Sequence, residues 1–259
     1  TDKELEKLNK NFNLMIDRLK TQQNRLLANE RHEAWEHVAR KIAHEIKNPL
    51  TPIQLIIDTL KNKYTDLIDE KNKEAFKDKI KTINKQIRLI EKLVNEFSNF
   101  ARMPKPIFKK YKLNKIIEDS IALMKENDKD VKFVYNVKGD YYLNCDIEQI
   151  SRVFINLLKN SIESLKEKYE KIGEFTKKID VEITQINDYI NVVIIDNGTG
   201  FNKQNFKNLS KPYFTTKKTG SGLGLSIVEK IINDHNGTIE LYDINDGAKL
   251  KIILPNYVN

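Results

Sequence analysis

The chain has 259 residues, of which 39% are hydrophobic and 32% are charged. This length allows one large domain or two to three small ones with a real apolar core. The formal net charge of +8 is compatible with an anionic partner such as a nucleotide or a nucleic acid. Because the lysines are spread along the chain, we interpret most of them as solvated helix surface. A single cysteine, Cys145, excludes an internal disulfide and a cysteine-based metal site, and it fits a reducing, cytosolic environment.

The sequence contains no apolar run long enough to span a bilayer, and it shows no signal peptide. It begins at Thr1 and not with Met, so we expect a soluble piece of a longer protein.

Residues 1–102 contain no glycine and only two prolines, which predicts long helices. The polar stretch Asn62–Lys73 is the predicted turn between two of them, and an apolar stripe runs from Val38 to Leu60 before it. Two helices leave an apolar face unburied, so a dimeric four-helix bundle is expected. Two heptad-like series support this interpretation. They are Leu5, Leu8, Phe12, Met15, Leu19 and Leu26, and Phe76, Ile80, Ile83, Ile87, Ile90, Val94 and Phe97.

A titratable nucleophile, His44, stands beside the carboxylate of Glu45 in this helical half. Pro49 and Pro52 each remove a backbone donor, so we expect them to interrupt the helix. A zinc-protease helix would require histidine at position 48, where Asn48 stands instead. A helix-surface histidine of no special function is the alternative, but the neighbouring glutamate, asparagine and proline favour a reactive site.

The segment Met103–Pro106 contains two prolines and is predicted to be a linker. All nine glycines lie beyond it, and helices and strands alternate in clusters there, which predicts an α+β layer sandwich. The predicted helices are Leu113–Lys125, Ile147–Tyr169 and Leu223–Asp234. The predicted strands are Val131–Val137, Tyr141–Cys145, Ile179–Ile186, Tyr189–Ile195, Thr238–Tyr242 and Ala248–Leu254.

Asp196 ends an apolar strand and is followed by Asn197, Gly198, Thr199 and Gly200. A carboxylate in this position can accept a hydrogen bond from the amine of a nucleobase. The same residues also form an ordinary turn, and both interpretations stay open from this motif alone.

Glycines at 220, 222 and 224 open the last predicted helix, where backbone N–H groups favour phosphate. The spacing matches neither the dinucleotide fingerprint nor the P-loop, and a flexible loop is the alternative. The preceding segment Lys211–Thr219, which carries lysines and threonines, is interpreted as a mobile lid over phosphates. Asn156 and Asn160 place two amides on one helical face. Their oxygens could bind Mg²⁺, with phosphates completing its coordination shell. The alternative is a pair of core asparagines whose hydrogen bonds are satisfied within the protein.

The order of these motifs, together with Pro212-Tyr213-Phe214, resembles a sensor histidine kinase of a two-component system over about residues 35–255. The segments Ala34–Gln54 and Phe100–Pro104 resemble the NtrY-like, nitrogen-regulation branch, and Glu4–Leu19 resembles the last helix of a HAMP signal relay.

This resemblance implies a fold of two parts. An all-α hairpin forms a dimeric four-helix bundle, and an α+β two-layer sandwich of the Bergerat type, shared with gyrase, Hsp90 and MutL, binds ATP. The implied domains are a signalling helix at 1–34, a dimerisation and phosphotransfer domain at 35–102, a linker at 103–108 and a catalytic ATP-binding domain at 109–259.

The resemblance also implies residue roles. His44 is the phosphoacceptor, Glu45 the general base and Asn48 the residue for the reverse, phosphatase reaction. Asn156 and Asn160 bind Mg²⁺ through ATP, and Asp196 reads adenine. The other implied ATP-binding residues are Gly198, Gly200, Phe214, Thr215, Thr216, Lys217, Gly220, Ser221, Gly222, Leu223 and Gly224.

The implied function is ATP-dependent autophosphorylation of His44 and phosphotransfer to an aspartate of a response-regulator receiver domain. The chain is expected to be a homodimer that binds no nucleic acid, the cytoplasmic portion of an inner-membrane sensor kinase whose membrane-spanning region precedes this sequence. Two rival classes are a gyrase- or Hsp90-like ATPase clamp and a non-catalytic dimeric scaffold. The first gives no role to the His44 stretch or to the heptads, and the second predicts decay of some motif.

Overall fold

A computed structural model describes residues 38, 40–101, 103–201 and 222–256. The chain divides between Met103 and Pro104 into two compact units. Within the described residues, none of the helices is long and apolar enough to cross a membrane.

The first unit is a helical hairpin. Helix α1 covers residues 40–64, a 3₁₀ turn follows at Thr65–Leu67, and helix α2 runs over Glu70–Ala101. The turn lies inside the stretch predicted for it, with both helices extending further than expected. Apolar residues of α1 and α2 form the packed core of the hairpin, because they recur at helical spacing. These are Leu50, Ile57, Ile80 and Ile87, with Leu60 and Phe76 against them.

The two prolines do not interrupt α1, and in this respect the prediction was wrong. The helix is continuous through Pro49 and Pro52. Each proline removes one backbone hydrogen bond, but the intact turns on both sides and the buried side chains of Leu50 and Ile57 keep the segment helical. The Thr51 hydroxyl also donates to the carbonyl of Lys47 over 3.4 Å.

The second unit contains three helices and seven strands among its described residues. The helices are α3 Leu113–Asn127, α4 Ile147–Ile172 and α5 Gly224–Asp234. The strands are β1 Lys109–Lys112, β2 Lys132–Val137, β3 Tyr142–Cys145, β4 Lys178–Ile186, β5 Tyr189–Asp196, β6 Thr238–Ile244 and β7 Gly247–Pro255. Every helix and strand predicted beyond the linker is confirmed, with bounds that differ by up to three residues.

Five strands form one sheet in the order β2-β4-β5-β7-β6, in which only β2 and β4 run parallel. Alternate side chains of β4, β5 and β7 are buried, as expected for a sheet with one covered face. Helix α4 packs against both α3 and α5. This arrangement confirms the α+β layer sandwich and places the end of β5, the central strand, beside α4.

Strand β1 was not predicted. It pairs antiparallel with β3 in a separate two-stranded sheet, with Lys109 opposite Cys145. Its sequence, Lys-Lys-Tyr-Lys, lacks the apolar alternation that identifies a half-buried strand, and it has three exposed positions out of four.

Helix α4 is fixed at its N-terminus by Asp146, whose Oδ1 accepts from the N–H groups of Glu148 and Gln149. The other carboxylate oxygen accepts from Ile107 N over 2.9 Å. The backbone N–H of Asp146 donates to Nε2 of His235, the residue that caps α5, over 3.0 Å. These bonds join the start of α4, the end of α5 and the segment that leads into β1.

Candidate functional site

Asp196 is the last residue of β5 and is almost completely buried. Its backbone pairs with Ile179 of β4 on one side and Ala248 of β7 on the other. Because both neighbours of the strand hold it, the carboxylate emerges at a defined point at the end of the sheet.

Each oxygen of the carboxylate accepts a hydrogen bond that orients it. The Ser161 hydroxyl donates to Oδ2 over 2.9 Å, and Gly198 N donates to Oδ1 over 3.0 Å. Ser161 belongs to α4 and directly follows Asn160. The acid and the predicted amide pair are therefore parts of one site.

Three glycines allow neighbouring segments to pack closely around Asp196. A Cβ on Gly198 would lie 2.2 Å from Ser164 Oγ, and one on Gly247 would lie 1.8 Å from the carbonyl oxygen of Asp196. Gly247 also has a φ of +116°. Gly200, with a φ of +73°, lies against the carbonyl of Gly247. The predicted glycines after Asp196 thus permit close approach by α4 and by the β6–β7 hairpin.

The two predicted amides lie beside the first residue of α5. Asn156 donates through Nδ2 to the carbonyl of Arg152 over 2.9 Å. A Cβ on Gly224 would lie 3.8 Å from Asn156 Oδ1 and 3.9 Å from Asn160 Nδ2. Gly222, with a φ of +69°, and the buried Leu223 lead the chain into α5. The N-terminus of a helix beside two amides is suited to hold phosphate.

The donor set fits a magnesium ion that arrives with phosphates. Over residues 38–201 and 222–256, apart from 39 and 102, no group of three or more His, Cys, Asp or Glu side chains could hold a metal ion. Mg²⁺ commonly takes one or two protein oxygens together with waters and substrate phosphates. The amides of Asn156 and Asn160 can contribute oxygens of that kind.

His44, Glu45 and Asn48 lie on α1 of the helical unit, and all three are exposed. His44 and Asn48 share one face because they are four residues apart, whereas Glu45 lies about 100° around the helix. The Glu45 carboxylate lies 4.0 Å from the ammonium group of Lys41.

Six predicted binding residues lie outside the described residues. They are Phe214, Thr215, Thr216, Lys217, Gly220 and Ser221.

Three residues of α4 that bind Asp196 or the loop after it were not predicted from the sequence. Ser161 binds Asp196, the Ser164 hydroxyl accepts from Thr199 N over 3.0 Å, and Lys168 donates to the carbonyl of Asn197 over 2.8 Å. Their spacing of three and then four residues puts them on one helical face. That spacing was the available signal, but serine and lysine are so common on helix surfaces that it was not distinctive.

Comparison with known families assigns both units. Residues 34–106 match the His Kinase A (phospho-acceptor) domain, and residues 145–257 match the histidine kinase-, DNA gyrase B- and HSP90-like ATPase.

Relatives with long alignments are sensor kinases. The chain is 37% identical over 243 residues to an NtrY-like sensor histidine kinase of Rickettsia prowazekii, an alignment that covers 93% of this chain and 39% of that protein. It is 39% identical over 223 residues to the nitrogen regulation protein NtrY of Azorhizobium caulinodans, covering 86% and 28% respectively. The chain therefore spans well under half the length of these relatives.

A solved structure of the histidine kinase ThkA in complex with the response regulator protein TrrA is also similar. The TM-score is 0.59 at 26% identity, over 85% of this chain and 61% of that chain.

Proposed function

We propose that this chain, which belongs to the sensor histidine kinases, transfers the γ-phosphoryl group of ATP to His44. The group then passes to an aspartate of a response-regulator receiver domain. The observation that carries the proposal is the buried Asp196 carboxylate, oriented by Ser161 and Gly198 at the end of β5. A carboxylate held in this way accepts a hydrogen bond from the exocyclic amine of adenine and selects ATP.

The phosphates of ATP would lie between α4 and α5. Asn156 and Asn160 supply amide groups there, and the N-terminus of α5, entered through Gly222, Leu223 and Gly224, supplies backbone N–H groups. The two amides would hold Mg²⁺ together with the phosphates, and the ion would neutralise charge on the transferring group. Phosphoryl transfer needs little beyond such positioning and charge neutralisation. Six further residues that the family pattern names would complete this site: Phe214, Thr215, Thr216, Lys217, Gly220 and Ser221.

His44 is the nucleophile in this proposal. Imidazole combines nucleophilicity with a partly neutral population near pH 7. His44 is exposed on a continuous helix, so its ring is accessible to the γ-phosphate. Glu45, the next residue, would take the proton that leaves the ring. The two units meet in the chain at Met103 and Pro104, where the backbone has no regular secondary structure. Rotation of the backbone there would allow the ATP-binding unit to approach and leave.

We also propose that the chain acts as a homodimer. The apolar series of α2 is buried at every second member only: Ile80, Ile87 and Val94 are buried, whereas Ile83 and Ile90 are each 41% exposed. On α1, Ile42, Ile46 and Ile53 are also exposed. A second copy of the hairpin would cover both exposed stripes and complete a four-helix bundle.

A phosphatase activity toward the phosphorylated receiver is a second proposed function. Asn48 lies one turn from His44 on the same exposed face, where its amide could orient a water molecule against a phosphoaspartate. Replacing Asn48 by Ala should leave autophosphorylation intact and slow dephosphorylation of the partner. An unchanged rate of dephosphorylation would exclude this role.

The proposed position in the cell rests on membership of the same family. The relatives are more than twice as long as this chain, so we propose that it is the cytoplasmic portion of an inner-membrane sensor kinase. A partner of this portion would be a receiver domain and not a nucleic acid.

The proposal is tested by incubation of the chain with Mg²⁺ and γ-labelled ATP. We expect labelling of the wild-type chain and loss of label in Asp196→Asn. Asp180→Asn is the matched control, because Asp180 pairs with Lys178 on β4 and not with the site. Equal labelling of Asp196→Asn and wild type would refute the adenine pocket, and release of phosphate without labelled protein would favour the ATPase clamp.

A further inference from the structure

Lys168 lies in the second unit, one turn beyond Ser164 on α4, and has no role in the proposed chemistry. Its side chain is only 15% exposed, which is unusual for lysine. The ammonium group donates to the carbonyl of Asn197 over 2.8 Å and forms an ion pair with Asp246, in the turn between β6 and β7. It also lies 5.0 Å from the ring centroid of Phe175.

Asn197, the residue after Asp196, is held on several sides. Its side chain accepts from Lys178 N and donates to the carbonyl of Thr176, over 2.8 Å in each case. Its backbone N–H donates to the carbonyl of Lys178. The bond from Lys168 adds the backbone carbonyl of Asn197 to this set, so the two peptide groups that follow Asp196 have little freedom to turn.

The β6–β7 turn is close to the same peptide. The Cα of Gly247 approaches the Asp196 carbonyl so closely that no side chain fits there. Asp246, the preceding residue, brings its carboxylate to Lys168. The ammonium group therefore links three segments: α4, the loop after Asp196 and the β6–β7 turn.

We infer that Lys168 is a positioning residue for adenine recognition. It holds the Asp196–Thr199 loop between α4 and the β6–β7 turn, so that the Asp196 carboxylate stays aligned with the amine of adenine. Asp246 neutralises its charge and keeps the ammonium group in place. The inference rests on the proposed function, because it requires that Asp196 bind adenine.

The test measures the affinity of the full chain for two nucleotides by displacement of a fluorescent ADP analogue. ATP engages Asp196 through its 6-amino group, whereas purine riboside triphosphate lacks that group. Lys168→Met keeps an unbranched apolar stem against Phe175 and removes the charge. We expect it to weaken ATP binding about tenfold and to leave the affinity for the purine analogue within about twofold of wild type.

Three further variants sharpen the test. Lys168→Arg keeps the cation, and its ATP affinity should stay within about threefold of wild type. Asp246→Asn alters an exposed turn, so the variant should fold. It should weaken ATP binding by about threefold and leave the affinity for the purine analogue unchanged. Lys171→Met is the matched control, because Lys171 pairs with Glu167 within α4, and it should bind both nucleotides as wild type does.

Several results would overturn the inference. Lys168→Met could bind ATP like wild type, or it could lose affinity for both nucleotides equally, which would indicate a general disruption of the fold. Losses in Lys168→Arg equal to those in Lys168→Met would exclude the charge as the cause. A wild-type chain that does not distinguish the two nucleotides would instead refute the adenine pocket at Asp196, and the role of Lys168 with it.

Discussion

The hydroxyl of Ser161 donates to Oδ2 of Asp196 over 2.9 Å, although 35 residues separate the two in the sequence, and both residues are 2% exposed. The bond links helix α4, which also carries Asn156 and Asn160, to the end of the central strand. It makes the proposed base-binding and phosphate-binding groups parts of one rigid unit.

Replacing Ser161 by Ala should weaken ATP binding about three- to tenfold, because Asp196 loses the donor that orients one of its oxygens. Isothermal titration calorimetry with ATP would measure the effect. Ser120→Ala is the control, since this buried hydroxyl donates only to the carbonyl of Ile116 within α3. Equal affinities of Ser161→Ala and wild type would show that the bond does not contribute to nucleotide binding.

Replacing both Ile83 and Ile90 by Glu should convert a dimer into monomers. A carboxylate at either position would be buried without a partner in a four-helix bundle, and this costs several kcal/mol per charge. Sedimentation equilibrium would measure the mass. Leu67→Glu, at an exposed position of the 3₁₀ turn, should remain a dimer. A wild-type chain that sediments as a monomer would contradict the proposed bundle.

The second unit should lose stability as the pH falls below about 6.5. Burial lowers the pKa of His235. The hydrogen bond to the Ile231 carbonyl and the nearby carboxylates of Asp146 and Asp234 raise it, but the effect of burial is larger, so the pKa is lowered overall. The unfolded chain therefore binds a proton that the folded chain does not, and the free energy of unfolding falls by up to about 1.4 kcal/mol per pH unit in that interval. A proton on Nε2 of His235 would also remove the acceptor of the hydrogen bond from the N–H of Asp146.

Urea titrations between pH 5.5 and 7.5 would measure this dependence. His235→Asn removes the titrating group, so its stability should vary less over this range than that of wild type. Parallel curves for the two proteins would exclude His235 as the cause.

Asp146 contributes to the pH dependence of stability at lower pH. Burial raises the pKa of its carboxyl, but the N–H groups of Ile107, Gln149 and Glu148 outweigh that effect and lower it, so its contribution is lost as the pH falls through that lowered value.

Cys145 should resist thiol reagents in the folded chain. It is fully buried beside Asp146, and this burial raises the pKa of its thiol to about 12. The thiolate, the reactive form, is therefore scarce at pH 8. Reaction with Ellman's reagent should be slow in buffer and fast in urea, where the pKa returns to about 8.5. Fast reaction under native conditions would contradict the described burial.

The arrangement of helices and strands was largely predictable, because apolar periodicity changes clearly from helical to alternating beyond residue 106. The continuity of α1 through Pro49 was not, since the packing of Leu50 and Ile57 that offsets the lost hydrogen bonds is a tertiary effect. Strand β1 was missed because it forms only by pairing with β3, and its own residues carry no apolar pattern.

In the candidate site, Asp196, Asn156 and Asn160 could be proposed from the sequence because each stands in a distinctive local pattern. Ser161, Ser164 and Lys168 could not, because their partners are 29 to 35 residues away or, for Asp246, 78 residues away. The sheet that brings these segments together is the result of folding. Only the structure reveals which ordinary polar residues orient the acid.

The decisive measurement for His44 as the phosphoacceptor is labelling with γ-labelled ATP and Mg²⁺, with wild type and His44→Gln compared side by side. We expect wild type to acquire a label that acid removes and base does not, and His44→Gln to acquire none while still binding ATP. A label that survives the replacement of His44, or one that is stable to acid, would contradict the assignment of His44 as the phosphoacceptor.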